Sequence, residues 1–157
     1  MSLSLYREKC VYNFEVLPNK IVGPKHSENR AGGLMVTALP VDDEGRYVPD
    51  KKIIFFCGIN DLIQLGNIFK TNEATEVKLF HKPEGDKANP ISKTLKLSRT
   101  GPATFSVMLS MSNKEDTSQS SFVPGTSFDR GTLWAIEVLA QEAVKVACSF
   151  NHEHIRG

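Results

Sequence analysis

Between Glu76 and Lys82, a lysine, a phenylalanine and a lysine fall at every second position: Lys78, Phe80 and Lys82. In an extended chain, side chains alternate between faces. These three therefore share one side, and Val77, Leu79 and His81 share the other. A ring flanked by two ammonium groups suits single-stranded nucleic acid, because the ring stacks a base while the cations meet phosphates. The next candidate strand, Lys93 to Ser98, offers Thr94, Lys96 and Ser98 on its polar face. The one after it offers Ser106, Met108 and Ser110. Arg7, Lys9 and Asn13 form a second polar group near the start of the chain. A plainer reading stands beside each group. In the opposite register Phe80 belongs to the core and the lysines are ordinary surface charge. Arg7 and Lys9 suit an edge strand protected by charge, and Lys51 and Lys52 read the same way.

Other chemistries find less support. No phosphate-cradling G-x-x-x-x-G-K-[ST] loop, G-x-S-x-G elbow, H-E-x-x-H or C-x-x-C motif occurs. No carboxylate is paired on an apolar element as general acid–base work would need, so a non-enzymatic protein is expected. His152, Glu153 and His154 are a weak metal site without a second ligand cluster, so no metal and no cofactor is implied. His81, on the inward face of its strand, reads as a hydrogen-bonded core residue, and His26 as a loop residue. The cysteines, Cys10, Cys57 and Cys148, are odd in number, widely spaced and set among apolar residues. They read as reduced core residues of an intracellular protein.

The elements that must position these groups follow from pattern and composition. The chain has 157 residues, 40% hydrophobic and 24% charged, with a net charge of +1. That fits one globular domain and excludes disorder and strongly basic nucleic-acid binders. No apolar run is long enough to span a bilayer, and MSLSLYREKC lacks the apolar centre of a signal peptide. Strands are expected at Lys9 to Leu17, weakly at Lys20 to Val22, at Gly33 to Leu39 and at Lys51 to Cys57. A helix follows from Gly58 or Asn60, with Ile59, Leu62, Ile63, Leu65 and Phe69 on its apolar side. Strands then recur at Glu76 to His81, Lys93 to Ser98, Thr104 to Ser112 and Ser120 to Val123. Pro24 to Gly32, Asp42 to Asp50, Lys82 to Pro90 and Asn113 to Gln119 read as loops.

The last stretch, Thr126 to Phe150, reads as a long helix. Leu133, Ile136, Ala140, Ala143, Ala147 and Phe150 recur at helical spacing. Thr126 or Ser127 would cap it, with Asp129 in the first turn. Strands in runs between helices predict an α+β fold of two ββββα units with antiparallel sheets. The core would span about residues 6–150, with 151–157 as a tail. Val138, Leu139, Val144 and Val146 widen the helix beyond what one sheet covers. Together with Trp134 this surplus predicts self-association.

The order of segments resembles the Whirly family of single-stranded DNA-binding proteins, whose fold is also used by kinetoplastid mitochondrial RNA-binding proteins. Tyr6-Arg7-Glu8-Lys9-Cys10-Val11-Tyr12 sits at the family's lysine–glycine–lysine–alanine strand motif. Gly33-Leu34-Met35-Val36 with Ala38-Leu39-Pro40 looks like its third strand. Lys51 to Phe56, followed by Asp61-Leu62 and Leu65-Gly66, looks like its strand-to-helix passage. Leu79-Phe80-His81-Lys82-Pro83 with Gly85 resembles its phenylalanine–histidine–aspartate–proline–glycine turn. Lys93 to Leu97, Phe105-Ser106-Val107 and Phe122-Val123-Pro124 complete the order. Glu8 stands at the motif's glycine and Lys82 at an acid, the departures of a distant member.

The resemblance implies two roughly perpendicular four-stranded antiparallel sheets supported by helices. It also implies a homotetramer joined through the helices, with nucleic acid along the sheet surfaces. The resulting expectation is a single-stranded DNA- or RNA-binding protein, cytoplasmic or nucleoid-associated. Arg7, Lys9, Lys78, Lys82 and Lys96 would neutralise phosphate, Phe80 would stack, and Asn13 and Met108 would line the path. Two alternatives remain: an oligomeric interaction or scaffold module without nucleic acid, and a small-ligand enzyme using His81 with a carboxylate in a pocket.

Overall fold

The structure, a computed structural model, describes residues 1–22, 28–70, 75–82 and 90–155. In chain order the first half contains β1 (Ser2–Tyr6), β2 (Cys10–Leu17), β3 (Lys20–Val22), β4 (Glu28–Arg30), β5 (Gly33–Pro40), β6 (Ile53–Cys57) and α1 (Ile59–Lys70). The second contains β7 (Glu76–His81), β8 (Ile91–Arg99), β9 (Thr104–Asn113), β10 (Ser121–Asp129) and α2 (Arg130–Ile155). Two four-stranded sheets result, ordered β1-β2-β5-β6 and β10-β9-β8-β7. Every pairing within them is antiparallel. The fold is α+β, as the runs of strands predict.

The alternation that makes β2 a strand also sets its register. Cys10, Tyr12 and Phe14 are buried, while Val11, Asn13 and Glu15 turn outward. Leu34, Val36 and Ala38 continue the inner face on β5, and Ile53, Phe55 and Cys57 on β6. In the second sheet Val77, Leu79, Leu95, Leu97, Phe105, Val107 and Leu109 do the same. The inner faces and both helices form one core. At 26 residues, α2 is about 39 Å long at about 1.5 Å per residue. That reach lets it pack on β1, β2 and β5 of one sheet and on β9 and β10 of the other.

Several sequence expectations are corrected. The fourth strand of the first sheet is β1, not Lys20–Val22, which pairs with β4 in a separate two-stranded ribbon. β1 alternates outward Ser2, Ser4 and Tyr6 with inward Leu3 and Leu5, the period-2 signal of a strand. Thr126 and Ser127 do not cap α2; β10 extends through them to Asp129. Asp129 takes the cap instead, its Oδ1 accepting the Thr132 N–H at 2.8 Å and the Thr132 hydroxyl at 2.9 Å. Ile63 is 64% exposed, with Leu62, Leu65 and Ile68 as the buried side of α1. Cys148 is exposed, unlike buried Cys10 and Cys57. α2 also continues past Phe150, where the apolar pattern ends.

Buried polar contacts join the sheets through their shared core. Val123 of β10 pairs with Leu109 of β9, and the register then shifts between Val123 and Thr126. The buried Tyr12 hydroxyl of β2 accepts the Leu109 N–H at 3.1 Å and donates to the Val123 carbonyl at 3.2 Å. Burial drives the Tyr12 phenol pKa well above its ordinary value, although the Leu109 N–H pulls the other way. Nearby, Cys10 Sγ and Thr126 Oγ1 are 3.4 Å apart. At the far end of β2, Asn19 donates to the Val146 carbonyl of α2 at 3.0 Å and accepts the Gly32 N–H at 2.6 Å. Gly32 must be glycine there, since a Cβ would lie 2.2 Å from the Leu17 carbonyl oxygen and 2.6 Å from Val146 Cγ1.

Candidate nucleic-acid interface

The outward face of the second sheet gathers four of the predicted residues. Lys78 of β7 pairs with Lys96 of β8, which pairs with Met108 of β9, so the three form one row. Phe80 pairs with Thr94, and Thr94 with Ser110, in the next row. Phe80 is 51% exposed, so the register that would bury it is not the one adopted. Around these groups lie Ser92, Ser98, Ser106 and Ser112, which share the outward parity. Hydroxyls donate or accept as required, so this face is a hydroxyl lattice that holds Lys78, Lys96, Met108 and the Phe80 ring. Glu76 sits at its end, its Oε2 3.4 Å from Lys96 Nζ. Lys82, just past β7, places its Nζ 5.8 Å from the centre of the Phe80 ring, within cation–π range.

Arg7, Lys9 and Asn13 belong to the other sheet. Arg7 and Lys9 lie in the exposed turn between β1 and β2, so Lys9 is not a strand residue as its pattern predicts. Arg7 Nε donates to the Ser127 carbonyl of β10 at 3.2 Å, tying this turn to the second sheet. Asn13 faces outward and donates to Ser4 Oγ at 2.9 Å. The predicted set therefore forms two groups on two sheets.

The first sheet's outward face also carries apolar side chains that motif reading did not select. Tyr6, Val11 and Leu39 form one cross-strand row, and Met35 and Phe56 pair in another. Tyr6 is 65% exposed, and Ile54 and Phe56 are 39% exposed each. The signal was present in Ile53-Ile54-Phe55-Phe56: with no polar alternation, one apolar pair must face outward. β6 is an edge strand, and Lys93 Nζ covers part of that edge by donating to the Ile54 carbonyl at 2.7 Å. A charged side chain on an edge discourages further strand pairing.

His81 lies at the seam between sheets. Its Nε2 is 2.7 Å from Asp61 Oδ2 of α1, and its ring stacks on Phe55 of β6 at 4.0 Å. It is thus hydrogen-bonded as the strand pattern predicts, but with 38% of its side chain exposed it lies at the margin of the core and not within it. The carboxylate that an enzymatic reading requires is present, but neither apolar cleft discussed below includes His81 or Asp61. Among the described residues no cluster of three metal-ligating side chains occurs. His26, Pro83 and Gly85 lie outside the described residues, as do the side chains of His152, Glu153 and His154. No helix among the described residues is long and apolar enough to cross a membrane.

Set against protein-family models and against curated protein sequences, the chain matches none. Its three-dimensional arrangement is that of a known class: two four-stranded antiparallel sheets backed by helices, the Whirly-like fold. The crystal structure of WHY1 from Arabidopsis thaliana matches with a TM-score of 0.72 and 15% identity, covering 98% of this chain and 88% of that one. WHY3 from the same plant matches with a TM-score of 0.69 and 16% identity, covering 98% and 92%. The plant transcriptional regulator PBF-2 gives a TM-score of 0.69 and 15% identity over 98% and 85%. What is shared at these identities is the fold.

Proposed function

We propose that this chain is a non-enzymatic single-stranded nucleic-acid-binding protein, with DNA favoured over RNA, that holds the strand along its outward sheet faces with little sequence specificity. The observation that carries this reading is Phe80, an exposed ring in register with hydroxyls and beside the Lys78–Lys96–Met108 row. Rings stack any base, and dispersed cations and hydroxyls meet the backbone without reading sequence. Arg7 and Lys9 extend the positive surface to the first sheet. The likeness to WHY1, WHY3 and PBF-2, the last described as a transcriptional regulator, supports the same class.

A homo-oligomer through the helices, with a tetramer favoured, accompanies this reading. Trp134 is 66% exposed on α2 and Ile63 64% exposed on α1. An apolar groove between the helices, lined in part by Leu62, Ile63, Phe69, Ala140 and Val144, gives a second copy a place to pack. The same surplus supports the scaffold alternative, so binding must separate the two. Fluorescence anisotropy of labelled single-stranded DNA, single-stranded RNA and duplex DNA, titrated across salt, makes that test. The expected result is salt-sensitive binding to single strands, with duplex much weaker. No binding at about 50 mM salt, where phosphate contacts are strong, would instead favour the scaffold.

A further inference from the structure

The outward face of the first sheet ends in a cleft of about 620 Å³ lined by Leu17, Pro18, Lys20, Ala31 and Phe56. The cleft is about half open to solvent, so an occupant would lie against its wall and not be enclosed. Its position follows from register. Leu17 pairs with Gly33, and the next outward row pairs Glu15 with Met35 and Met35 with Phe56. The Phe56 ring reaches over Gly33, where a Cβ would lie 2.9 Å from Phe56 Cζ and 2.4 Å from the Cys57 carbonyl oxygen. Glycine at 33 thus leaves the space that the ring tip uses, and the ring remains 39% exposed beside the cleft. Lys20, exposed, brings a cation to the same cleft.

We propose that this cleft is a nucleobase subsite, taking one unpaired base against Phe56 with its phosphate on Lys20. The inference rests on the single-strand reading above and adds a ligand-binding element at the end of the path. Three features favour a nucleotide over a purely apolar occupant. The cleft is continuous with the exposed apolar rows of the first sheet, its aromatic wall lies close over Gly33, and it carries a cation. The eight residues of β2 separate it from the Arg7–Lys9 turn by about 26 Å at about 3.3 Å per residue. The first sheet therefore has cationic groups at both ends, and between them apolar Val11, Leu39, Met35 and Phe56 share the face with Asn13, Thr37 and Glu15.

The test is an abasic scan. A single-stranded oligonucleotide trimmed to the shortest length that keeps full affinity for the wild type, so that it has one register, is remade with a single abasic residue at each position in turn. Affinities are measured for the wild type and for Phe56→Ala, Phe56→Leu and Lys20→Gln, with circular dichroism to verify folding. In parallel, amide shifts of ¹⁵N-labelled wild type are followed with dAMP, dTMP and inorganic phosphate. One abasic position should cost the wild type between about five- and 150-fold, the range for one lost base stack. That position should cost Phe56→Ala almost nothing further. The two deoxynucleotides, but not phosphate alone, should shift the Leu17, Ala31 and Gly33 amides. Lys20→Gln should leave the abasic pattern intact while flattening the salt dependence. An abasic profile identical in wild type and folded Phe56 variants overturns the subsite and leaves the single-strand reading intact. Failure of every intact strand to bind the wild type overturns both.

Discussion

Phe80 has three neighbours that divide its possible work: Lys82 over its ring, Thr94 beside it in register, and solvent. A side chain half in water contributes little to the core, so its loss should be felt in binding and not in folding. Phe80→Ala is expected to weaken single-strand binding by about 1–3 kcal/mol with an unchanged melting temperature. Unchanged affinity in the folded variant would sink the stacking role. Glu76 acts in the opposite sense, holding Lys96 at 3.4 Å and placing a negative charge on the same face. Exposed pairs of this kind contribute only about 0–1 kcal/mol to stability. Glu76→Gln should therefore leave stability nearly unchanged while tightening strand binding and steepening its salt dependence. Equal anisotropy titrations for variant and wild type would remove Lys96 from the contact set.

At the level of single elements, the sequence was most informative where one physical requirement dominates. β2 was legible because a half-buried strand must alternate; β7 was legible as a strand, but Leu79 and Phe80 each suited the inner face, and only the packed structure decides that Leu79 is buried. α1 was legible in place but not in facing, because Ile63 belongs to its apolar pattern yet lies exposed beside α2. The start of α2 was misplaced because Thr126, Ser127 and Asp129 all suit a cap. The choice fell to Asp129 because β9 continues to pair with β10 through it. The Asp129 carboxyl is held below its ordinary pKa, first by the Thr132 N–H and then by the Thr132 hydroxyl. A depressed carboxylate stabilises the fold above its unfolded pKa, and that contribution fades as pH falls through the folded value. Asp129→Asn keeps an acceptor without the titration. Its loss of melting temperature on acidification below about pH 4 should be shallower than that of the wild type. The Tyr12 contact belongs between elements. Tyr12→Phe strands the Leu109 N–H and the Val123 carbonyl in the core, at an expected cost of about 1–3 kcal/mol measurable by urea unfolding.

For the whole molecule, the surface that single-chain packing leaves uncovered decides the prediction. Ile63 and Trp134 are large, apolar and mostly exposed on the helical side, away from the outward sheet faces. Ile63→Asp with Trp134→Asp should lower the mass observed by light scattering while preserving the fold. An unchanged assembly would show that these residues lie outside the interface. The candidate site was legible only in pieces, since Lys78, Phe80 and Lys82 announce themselves by spacing. Tyr6 and Phe56 join it only once four strands are set in register, a relation no local window contains. The Tyr12 hydroxyl spans still greater separations, 97 residues to Leu109 and 111 to Val123. Contacts of such range close large loops and tend to form slowly. The β9–β10 pairing, local in sequence, thus borrows a hydroxyl from the first sheet to bridge Leu109 and Val123, and it is the docking of the two sheets, not the pairing itself, that comes late. The Tyr12 hydroxyl can meet Leu109 and Val123 only after both β9 and β10 have been made, so β2 keeps a buried polar group open for a strand pair that follows it by about a hundred residues.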